Sequence, residues 1–329
     1  MKFSKMQAVI LAAGKSTRTY PLTLTKPKPL LKVANKTLLE HNLDSLNHIV
    51  NEAVIVVGYR KNMIKKHLGK KYKNIKIRYV EQKEQLGTAH ALSVVETYVK
   101  GRFVLMMGDD IYSREDIKNC IKHRYSLLTT RAKNPQNFGV VIEKNNILID
   151  FVEKPKHFIS DLISNAFYSL NKEIFTYIKQ IKKSGRNEFE LPDAVKLLAK
   201  EEKIHCIRSK KWLPIVYASD LLKADKALRK NKNSIGKNSK IYEKIRNSSI
   251  GNNCIIKGIV KNSIIMDKTV VDKNSIVENS VVGENVSIDG KAFNSIIADN
   301  VKIKNSTIKN SKIWPNKIIE NKTIEHDVQ

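Results

Sequence analysis

Cysteine is scarce in this sequence. Its 329 residues hold three, Cys120, Cys206 and Cys254, far apart and odd in number. That excludes a disulfide framework, offers no metal-ligand spacing, and suits reduced thiols in a cytoplasmic protein. No apolar run approaches the roughly eighteen residues of a membrane span, although 41% of the chain is hydrophobic. Enough apolar material therefore remains for a well-buried core, and the length allows two domains. The opening M-K-F-S-K-M-Q leads straight into the first apolar run and lacks a signal-peptide cleavage region. Acidic residues are few, 32 against 60 Lys+Arg, for a formal charge of +28. Yet there is no arginine-rich arm and no basic stripe alternating with aromatics. The lysines are spread over the whole length and read as a solvated surface. Such a field gathers anions of any size, so charge alone does not separate a nucleic-acid binder from an enzyme with small anionic ligands.

What is present is concentrated first in residues 8–32, A-V-I-L-A-A-G-K-S-T-R-T-Y-P-L-T-L-T-K-P-K-P-L-L-K. Ala8 to Ala13 is short and apolar, the signature of a buried parallel strand. It ends on Gly14, where backbone N–H groups can approach a ligand closely. Lys15, Ser16, Thr17 and Arg18 follow, then Lys26 and Lys28 on a segment whose φ angles Pro27 and Pro29 partly fix. Hydroxyls and cations after a strand suit phosphate oxygens, and the whole loop is expected to serve a polyanion. A P-loop is excluded by spacing, because the glycine it needs five residues before Gly14 is Val9. The string instead resembles the G-x-G-T-R-x-x-P-x-T-x-x-x-P-K-P-L signature of the sugar-1-phosphate nucleotidylyltransferases (pyrophosphorylases). Thr17, Arg18, Pro21, Thr23, Pro27, Lys28, Pro29 and Leu30 match it; Lys15 and Ser16 fall on its variable or small-residue places.

Beyond the loop, apolar strands and amphipathic helices alternate every fifteen to twenty residues or so, the pattern of βαβ units with a mostly parallel sheet covered on both faces. Leu38, Leu39, Leu43 and Leu46 mark a helix, A-V-I-V-V a strand, K-N-M-I-K-K-H-L-G a helix with a glycine stop, and F-V-L-M-M another strand. Residues 138–155 read as a hairpin turning at Asn145-Asn146. In such sheets ligands sit beyond the carboxyl ends of the strands. Three features fall there. In E-Q-K-E-Q-L-G-T-A-H-A-L, Gln82 has an amide that can pair with a pyrimidine edge, and Gly87 and Thr88 can open a helix. Asp109, in G-D-D after F-V-L-M-M, is a carboxylate facing an anion-binding loop, an arrangement that calls for a divalent cation such as Mg2+ between them; Asp110 serves the turn. In F-V-E-K-P, Glu153 can accept sugar hydroxyls and Lys154 can meet a phosphate.

These features also resemble the family. Q-L-G-T-A-H-A resembles the base-reading loop of its N-acetylglucosamine-1-phosphate uridylyltransferases. The likeness implies a pyrimidine nucleotide held by Leu11, Ala13, Gly14, Gln82, Gly87 and Thr88. It assigns Arg18 and Lys28 to the triphosphate as catalytic cations, and Asp109 to Mg2+. Gly139, Glu153, Lys154 and Asn165 fall to the sugar phosphate, and the fold implied is a Rossmann-like doubly wound mixed sheet. Two departures stand out. The family's N-[AT]-G, aligned without gaps, falls on Ser164, Asn165 and Ala166, and a one-residue shift would recover Asn165. Its W-x-D-x-G-x-x-x-D-L-L puts Pro214 where the pattern has a second metal-binding aspartate.

From about residue 234 the composition changes to I-x-N-S-x-I phrases. Ile264, Val270, Ile276, Val282 and Ile288 recur every six residues, and Ile297, Ile303, Ile313 and Ile319 continue with shifts of phase. That is the hexapeptide repeat of a short left-handed parallel β-helix, with about eighteen residues per coil, about five coils, and an inward aliphatic on each face. The domains expected are 1–230, catalytic, and 231–329, the β-helix, which would also carry homo-oligomer contacts. Acyl transfer on such a repeat needs a base, usually histidine, and none occurs between Cys206 and Glu325. Acetyltransferase activity is not expected. The sequence thus points to transfer of a nucleotidyl group from UTP, or second dTTP, to N-acetylglucosamine or glucose 1-phosphate. A catalytically weak regulatory subunit that binds nucleotide sugar is the alternative, and a basic nucleic-acid-binding scaffold a third; neither a specific nucleic acid nor a membrane is an expected partner.

Overall fold

The protein is described by a computed structural model over residues 6–329. Residues 1–5, part of the stretch read above for a cleavage region, lie outside the described residues. The chain forms two compact units. One takes the residues up to Gly14 together with Leu39–Leu213; the other takes Lys15–Leu38 together with Pro214–Gln329.

The first unit is built on a ten-stranded sheet. From one edge its strands run Gly139–Lys144, Ile147–Glu153, His205–Arg208, Ser126–Arg131, Leu162–Leu170, Phe103–Met107, Gln7–Ala12, Glu52–Val57, Ile75–Glu81 and Lys71–Tyr72. Phe103–Met107, Gln7–Ala12, Glu52–Val57 and Ile75–Glu81 are mutually parallel. Their near-continuous apolar sequence follows from that place: Ala8, Val9, Ile10, Val54, Ile55 and Leu105 are wholly buried, as strands covered on both faces must be. The rest of the sheet is mixed, as the family resemblance implied, and not mostly parallel as the alternation of strands and helices alone suggested. Leu162–Leu170 enters antiparallel between Phe103–Met107 and Ser126–Arg131, and Gly139–Lys144 pairs antiparallel with Ile147–Glu153. The hairpin turns where the sequence put it, with Asn145 and Asn146 both at positive φ, 53° and 60°, as a two-residue turn of that hand requires. Helix Lys61–Leu68 ends on Gly69 at φ 65°, and its buried Ile64 and Leu68 lie four residues apart on one face.

In the second unit, residues 15–38 are a chain of short turns, and Pro214–Gln329 supplies helix Asp220–Arg229 followed by stacked coils of a parallel β-helix. One face carries six strands, each paired in parallel with the next. Ser249 lies beside Ile264, Ile264 beside Val281, Val281 beside Ile296, and Ile296 beside Lys312, so a coil takes 15 to 17 residues rather than about eighteen. The phase of the ladder also needs correction in its first part. Ile265, Val271 and Val277 are the inward residues, whereas Val270 and Ile276 are half-exposed; from Val282 and Ile288 onward the predicted residues do face inward. An inward spacing of five or six residues cannot be fixed from a run of adjacent Ile and Val, because either neighbour fits the pattern.

The other two letters of the repeat have clear physical uses. Its asparagines, among them Asn247, Asn262, Asn279, Asn294 and Asn310, sit at the corners with φ between 47° and 50°, the left-handed region that asparagine tolerates best after glycine. The serine that follows is buried: the backbone N–H of Ser263, Ser280, Ser295 and Ser311 each donates to the hydroxyl of the serine one coil earlier, at 3.0–3.2 Å. The ladder satisfies corner amides that would otherwise be orphaned inside the stack.

Candidate functional site

In the first unit Leu11, Ala13, Gly14, Gln82, Gly87, Thr88 and Asp109 lie at or just beyond the carboxyl ends of parallel strands, whereas Gly139, Glu153, Lys154 and Asn165 stand on or beside antiparallel strands of the same sheet. Strand Gln7–Ala12 runs out into Ala13 and Gly14. The Leu11 carbonyl accepts the N–H of Gly108 at 2.8 Å, and the Ala13 carbonyl accepts Tyr59 N–H at 3.0 Å and the Gln85 side-chain amide at 2.9 Å. Gly108 has no Cβ because one would lie 3.1 Å from both Leu11 O and the Ala12 Cβ. That close approach sets the start of the turn bearing Asp109. Asn42 braces the same turn, donating its amide to Met107 O at 3.2 Å and Asp110 O at 2.8 Å. The Asp110 carboxylate accepts the indole N–H of Trp212 at 3.1 Å, which ties the turn to a residue far along the chain. Next to it, the Tyr112 hydroxyl donates to Asn165 O at 2.8 Å. Burial, then the Asp110 and Asp109 carboxylates, keep that phenol protonated far above its ordinary range.

The Gln82–Gly87 loop is braced from the other side. Gln82 is buried, its amide nitrogen 3.3 Å from Gly87 O and 3.1 Å from His90 Nδ1. Gly87 stands at φ 101°, and a Cβ there would meet Phe189 O at 2.5 Å. The segment around Phe189 is laced to the loop: Phe189 N–H donates to Leu86 O, Ala89 N–H to Phe189 O, and Leu191 N–H to the Thr88 hydroxyl. Thr88 thus has a structural partner on one side of its oxygen.

On the hairpin, Gly139 pairs with Glu153, and a Cβ at 139 would come within 2.7 Å of the Phe151 ring and 3.0 Å of Glu153 Oε2. Lys154, exposed and at φ 44°, donates its N–H to Phe138 O. Burial raises the Glu153 carboxyl above its ordinary range; Lys154 at 3.7 Å and Arg186 at 3.6 Å pull it back only in part, against Glu190 and Glu188. Ala166 stands at φ 54°, a conformation that glycine adopts freely, at a bulge in strand Leu162–Leu170. That is the place of the pattern's glycine when N-[AT]-G is laid on Ser164-Asn165-Ala166 without gaps. The Asn165 side chain is then wholly buried, and neither of its polar atoms has a hydrogen-bond partner among the described residues.

In the second unit, Arg18 is exposed on the turn Thr17–Thr19, and Lys28 opens the turn Lys28–Leu30, largely buried. The bend between them is tied at Ser16, whose carbonyl accepts the hydroxyls of Thr19 at 2.8 Å and Thr23 at 2.9 Å. Thr23 of the signature and its neighbour Thr19 thus hold the bend together rather than face solvent. Lys26 differs from the expectation that the loop's cations serve a polyanion. Its ammonium is buried against Glu284 at 2.6 Å and Asp299 at 3.1 Å, a pairing 258 and 273 residues away that sequence spacing gives no means of seeing. At the proline that replaces the second aspartate of the family pattern no carboxylate is available; Asp220, six residues on, accepts the N–H groups of Val216 and Tyr217 and so closes the turn before its helix.

Sequence reasoning missed Gln85, His90, Arg186, Asn42 and Trp212 as members of these surroundings. His90 and Gln85 lay inside a quoted motif, and Arg186 immediately precedes N-E-F-E-L-P-D-A. Asn42 carried no signal, being one polar residue in an apolar-faced helix. Trp212 edges onto Phe138 at 6.1 Å and donates to Asp110, so it touches both the acidic turn and the hairpin.

Comparison with known proteins identifies the family. Over 227 residues the chain is 38% identical to the bifunctional protein GlmU of Methanocaldococcus jannaschii, covering 68% of this chain and 54% of that one. Over 236 residues it is 34% identical to the UTP–glucose-1-phosphate uridylyltransferase AglF of Haloferax volcanii, covering 68% of this chain and 97% of that one. The chain spans little more than half the length of the bifunctional archaeal relatives that it matches. The crystal structure of a glucose-1-phosphate thymidylyltransferase from Bacillus anthracis superposes with a TM-score of 0.62 at 28% identity, over 69% of this chain and 96% of that one. Residues 224–328 match the family described as GMPPB C-terminal domain. Residues 7–231 match the nucleotidyl transferase family over more than half of the chain, and the protein belongs to it.

Proposed function

We propose that the protein joins a pyrimidine nucleoside triphosphate, UTP before dTTP, to N-acetylglucosamine or glucose 1-phosphate, releasing pyrophosphate and a nucleotide sugar. The observation that carries this reading is the fastening of two loops to one strand end. The turn bearing Asp109 is hydrogen-bonded to Leu11, and the Gln82–Gly87 loop to Ala13 through Gln85. A carboxylate and a base-reading amide thereby stand on rigid supports beside Gly14, where a nucleotide would meet the carboxyl ends of the sheet.

The chemistry follows from those places. An oxygen of the sugar phosphate attacks the α-phosphorus in line, with pyrophosphate leaving, and no covalent enzyme intermediate is required. Gln82 and the backbone at Gly87 orient the base, with Leu11, Ala13, Gly14 and Thr88 around the nucleotide. Gly139, Glu153 and Lys154 orient the sugar phosphate, and Arg18 and Lys28 balance charge on the triphosphate. The donor set fits a magnesium ion: Asp109 offers a hard oxygen ligand on a fixed turn, its neighbour Asp110 being occupied by Trp212. Bound there with phosphate oxygens and water, Mg2+ would neutralise phosphate charge. Domains 1–230 and 231–329, assembly through the β-helix and a cytoplasmic location belong to the same proposal. Buried free thiols at Cys120, Cys206 and Cys254 support the last, and no described helix is long and apolar enough to cross a membrane.

Pyrophosphate release measured over a panel of nucleoside triphosphates and sugar phosphates tests the reading; turnover with UTP or dTTP is expected. Pro214 favours a second reading, a weakly active subunit that binds nucleotide sugar, which would show binding without release. Tight, steeply salt-dependent binding to DNA or RNA with no turnover would replace both.

A further inference from the structure

The residues that hold the signature segment in place lie along one corner of the β-helix. As the segment is followed back from residue 35 to residue 25, its anchors climb the stack. Asn35 donates to Ser234 and to Ile250 O; Ala34 N–H donates to Asp225, which also accepts the Ser249 hydroxyl. Lys32 pairs with Asp267 at 2.6 Å. Lys26 pairs with Glu284 and Asp299, and the Thr25 hydroxyl donates to Asp299 at 2.6 Å.

The corner itself is built for this. Each of the two aspartates lies across a glycine of the preceding coil: a Cβ on Gly251 would fall 2.5 Å from Asp267 Oδ1, and one on Gly283 would fall 2.5 Å from Asp299 Oδ1. The Oδ1 atoms accept backbone N–H groups, of Asn252 at 2.9 Å and of Glu284 at 2.7 Å. That leaves Oδ2 of each carboxylate for the lysine. Alternation of glycine and aspartate up the column therefore presents a fixed row of charge at the spacing of Lys32 and Lys26.

We infer that Asp267, Glu284 and Asp299 are positioning residues, through which the β-helix sets the place of the segment carrying Arg18 and Lys28. This rests on the reading of those two cations as triphosphate ligands. The repeat domain is then part of the phosphate-handling apparatus of the enzyme. Lys26 and Lys32 are engaged by the row of carboxylates, which neutralises them.

Asp267→Asn and Asp299→Asn, singly and together in the full chain, test this, since asparagine keeps the Oδ1 acceptor within the coil and removes the Oδ2 acceptor, with the lysine ion pair and, at 299, the bond from the Thr25 hydroxyl. Lys26→Met is the reciprocal variant, and Glu320→Gln, which removes the distant pair with Lys304, is the control. Two readouts are needed. Hydrogen exchange of residues 15–38 is expected to quicken by about tenfold in the double variant and not in the control. KM for UTP should rise about fivefold or more, with KM for the sugar phosphate held within about twofold, because a loop displaced by a fraction of an ångström loses its grip on one substrate. Lys26→Met combined with Asp299→Asn should be no worse than the poorer single variant, as expected of two groups in one contact. Unchanged exchange in residues 15–38, or quickened exchange with an unchanged KM for UTP, overturns the inference. Should the parent protein show no turnover with any substrate pair, the enzymatic reading falls by itself. Exchange then decides alone: quickened in the double variant it upholds the anchoring, unchanged it overturns that too.

Discussion

Gly87→Ala is the sharpest test of the base-reading loop. The alanine Cβ would stand 2.5 Å from Phe189 O and 2.8 Å from Phe189 N, whereas ordinary contact begins at 3.4 Å. One side must withdraw by about 0.9 Å. Neither gives cheaply, because Phe189 is backbone tied by hydrogen bonds to Leu86 and Ala89. The φ of 101° adds a further cost of about 1–3 kcal/mol for a residue with a side chain. The loop therefore shifts or loosens, and Gln82, 3.3 Å from Gly87 O, moves with it. A displacement near 1 Å at a positioning group costs up to about 100-fold, so kcat/KM for UTP should fall at least tenfold, by about 1.4 kcal/mol of transition-state stabilisation. KM for the sugar phosphate should change less than KM for UTP, because the hairpin bearing Glu153 and Gly139 meets the Phe189 segment through the side chains of Arg186, Glu188 and Glu190. The assay is pyrophosphate release over a series of UTP concentrations at saturating sugar phosphate, repeated with dTTP, and far-UV circular dichroism establishes that the variant is folded. A folded variant with parental kcat/KM and parental base preference would refute the reasoning.

The other predictions are shorter. Asp109→Asn and Arg18→Ala should each lower turnover at least about tenfold, roughly 1.4 kcal/mol of barrier; parental rates in both would remove the site assignment. Glu153 carries a raised carboxyl pKa from burial, so its charge weighs against the fold above that value. Glu153→Gln should accordingly melt higher than the parent at neutral pH, lose that advantage below the ordinary glutamate value, and show a higher KM for the sugar phosphate. Burial pushes the Asp267 carboxyl up, but Lys32 and the Asn252 N–H outweigh it and hold the group below its ordinary range. Its contribution is then present above about pH 3.9 and lost as pH falls through the depressed value; thermal melts of parent and Asp267→Asn should differ at pH 7 and converge in stronger acid.

The architecture, and the placing of Leu11, Gln82 and Asp109 at strand ends, were legible in the sequence, because each rests on local rules. A short apolar run into glycine specifies a buried strand and a close turn, and Asn145-Asn146 specifies a two-residue hairpin. Serine and asparagine at fixed offsets from an aliphatic specify a coil corner. What resisted was every choice made by a distant partner. Val270 and Val271 are chemically the same residue, and only stacking on the neighbouring coils selects which one faces inward. Ala166 gives no sign in its identity that its backbone lies at φ 54°; the bulge against Ser126–Arg131 imposes it.

By itself the sequence determined that a cation-rich turn after a buried strand, a carboxylate at a strand end and a hexapeptide stack share one chain, since those are properties of residue type and spacing. Only the tertiary structure decided how the cations of that loop are divided. Four lysines and one arginine look alike along residues 15 to 32, but carboxylates more than two hundred residues away take up Lys26 and Lys32. Ion pairing is set by distance in space, and no period or motif in the chain records it.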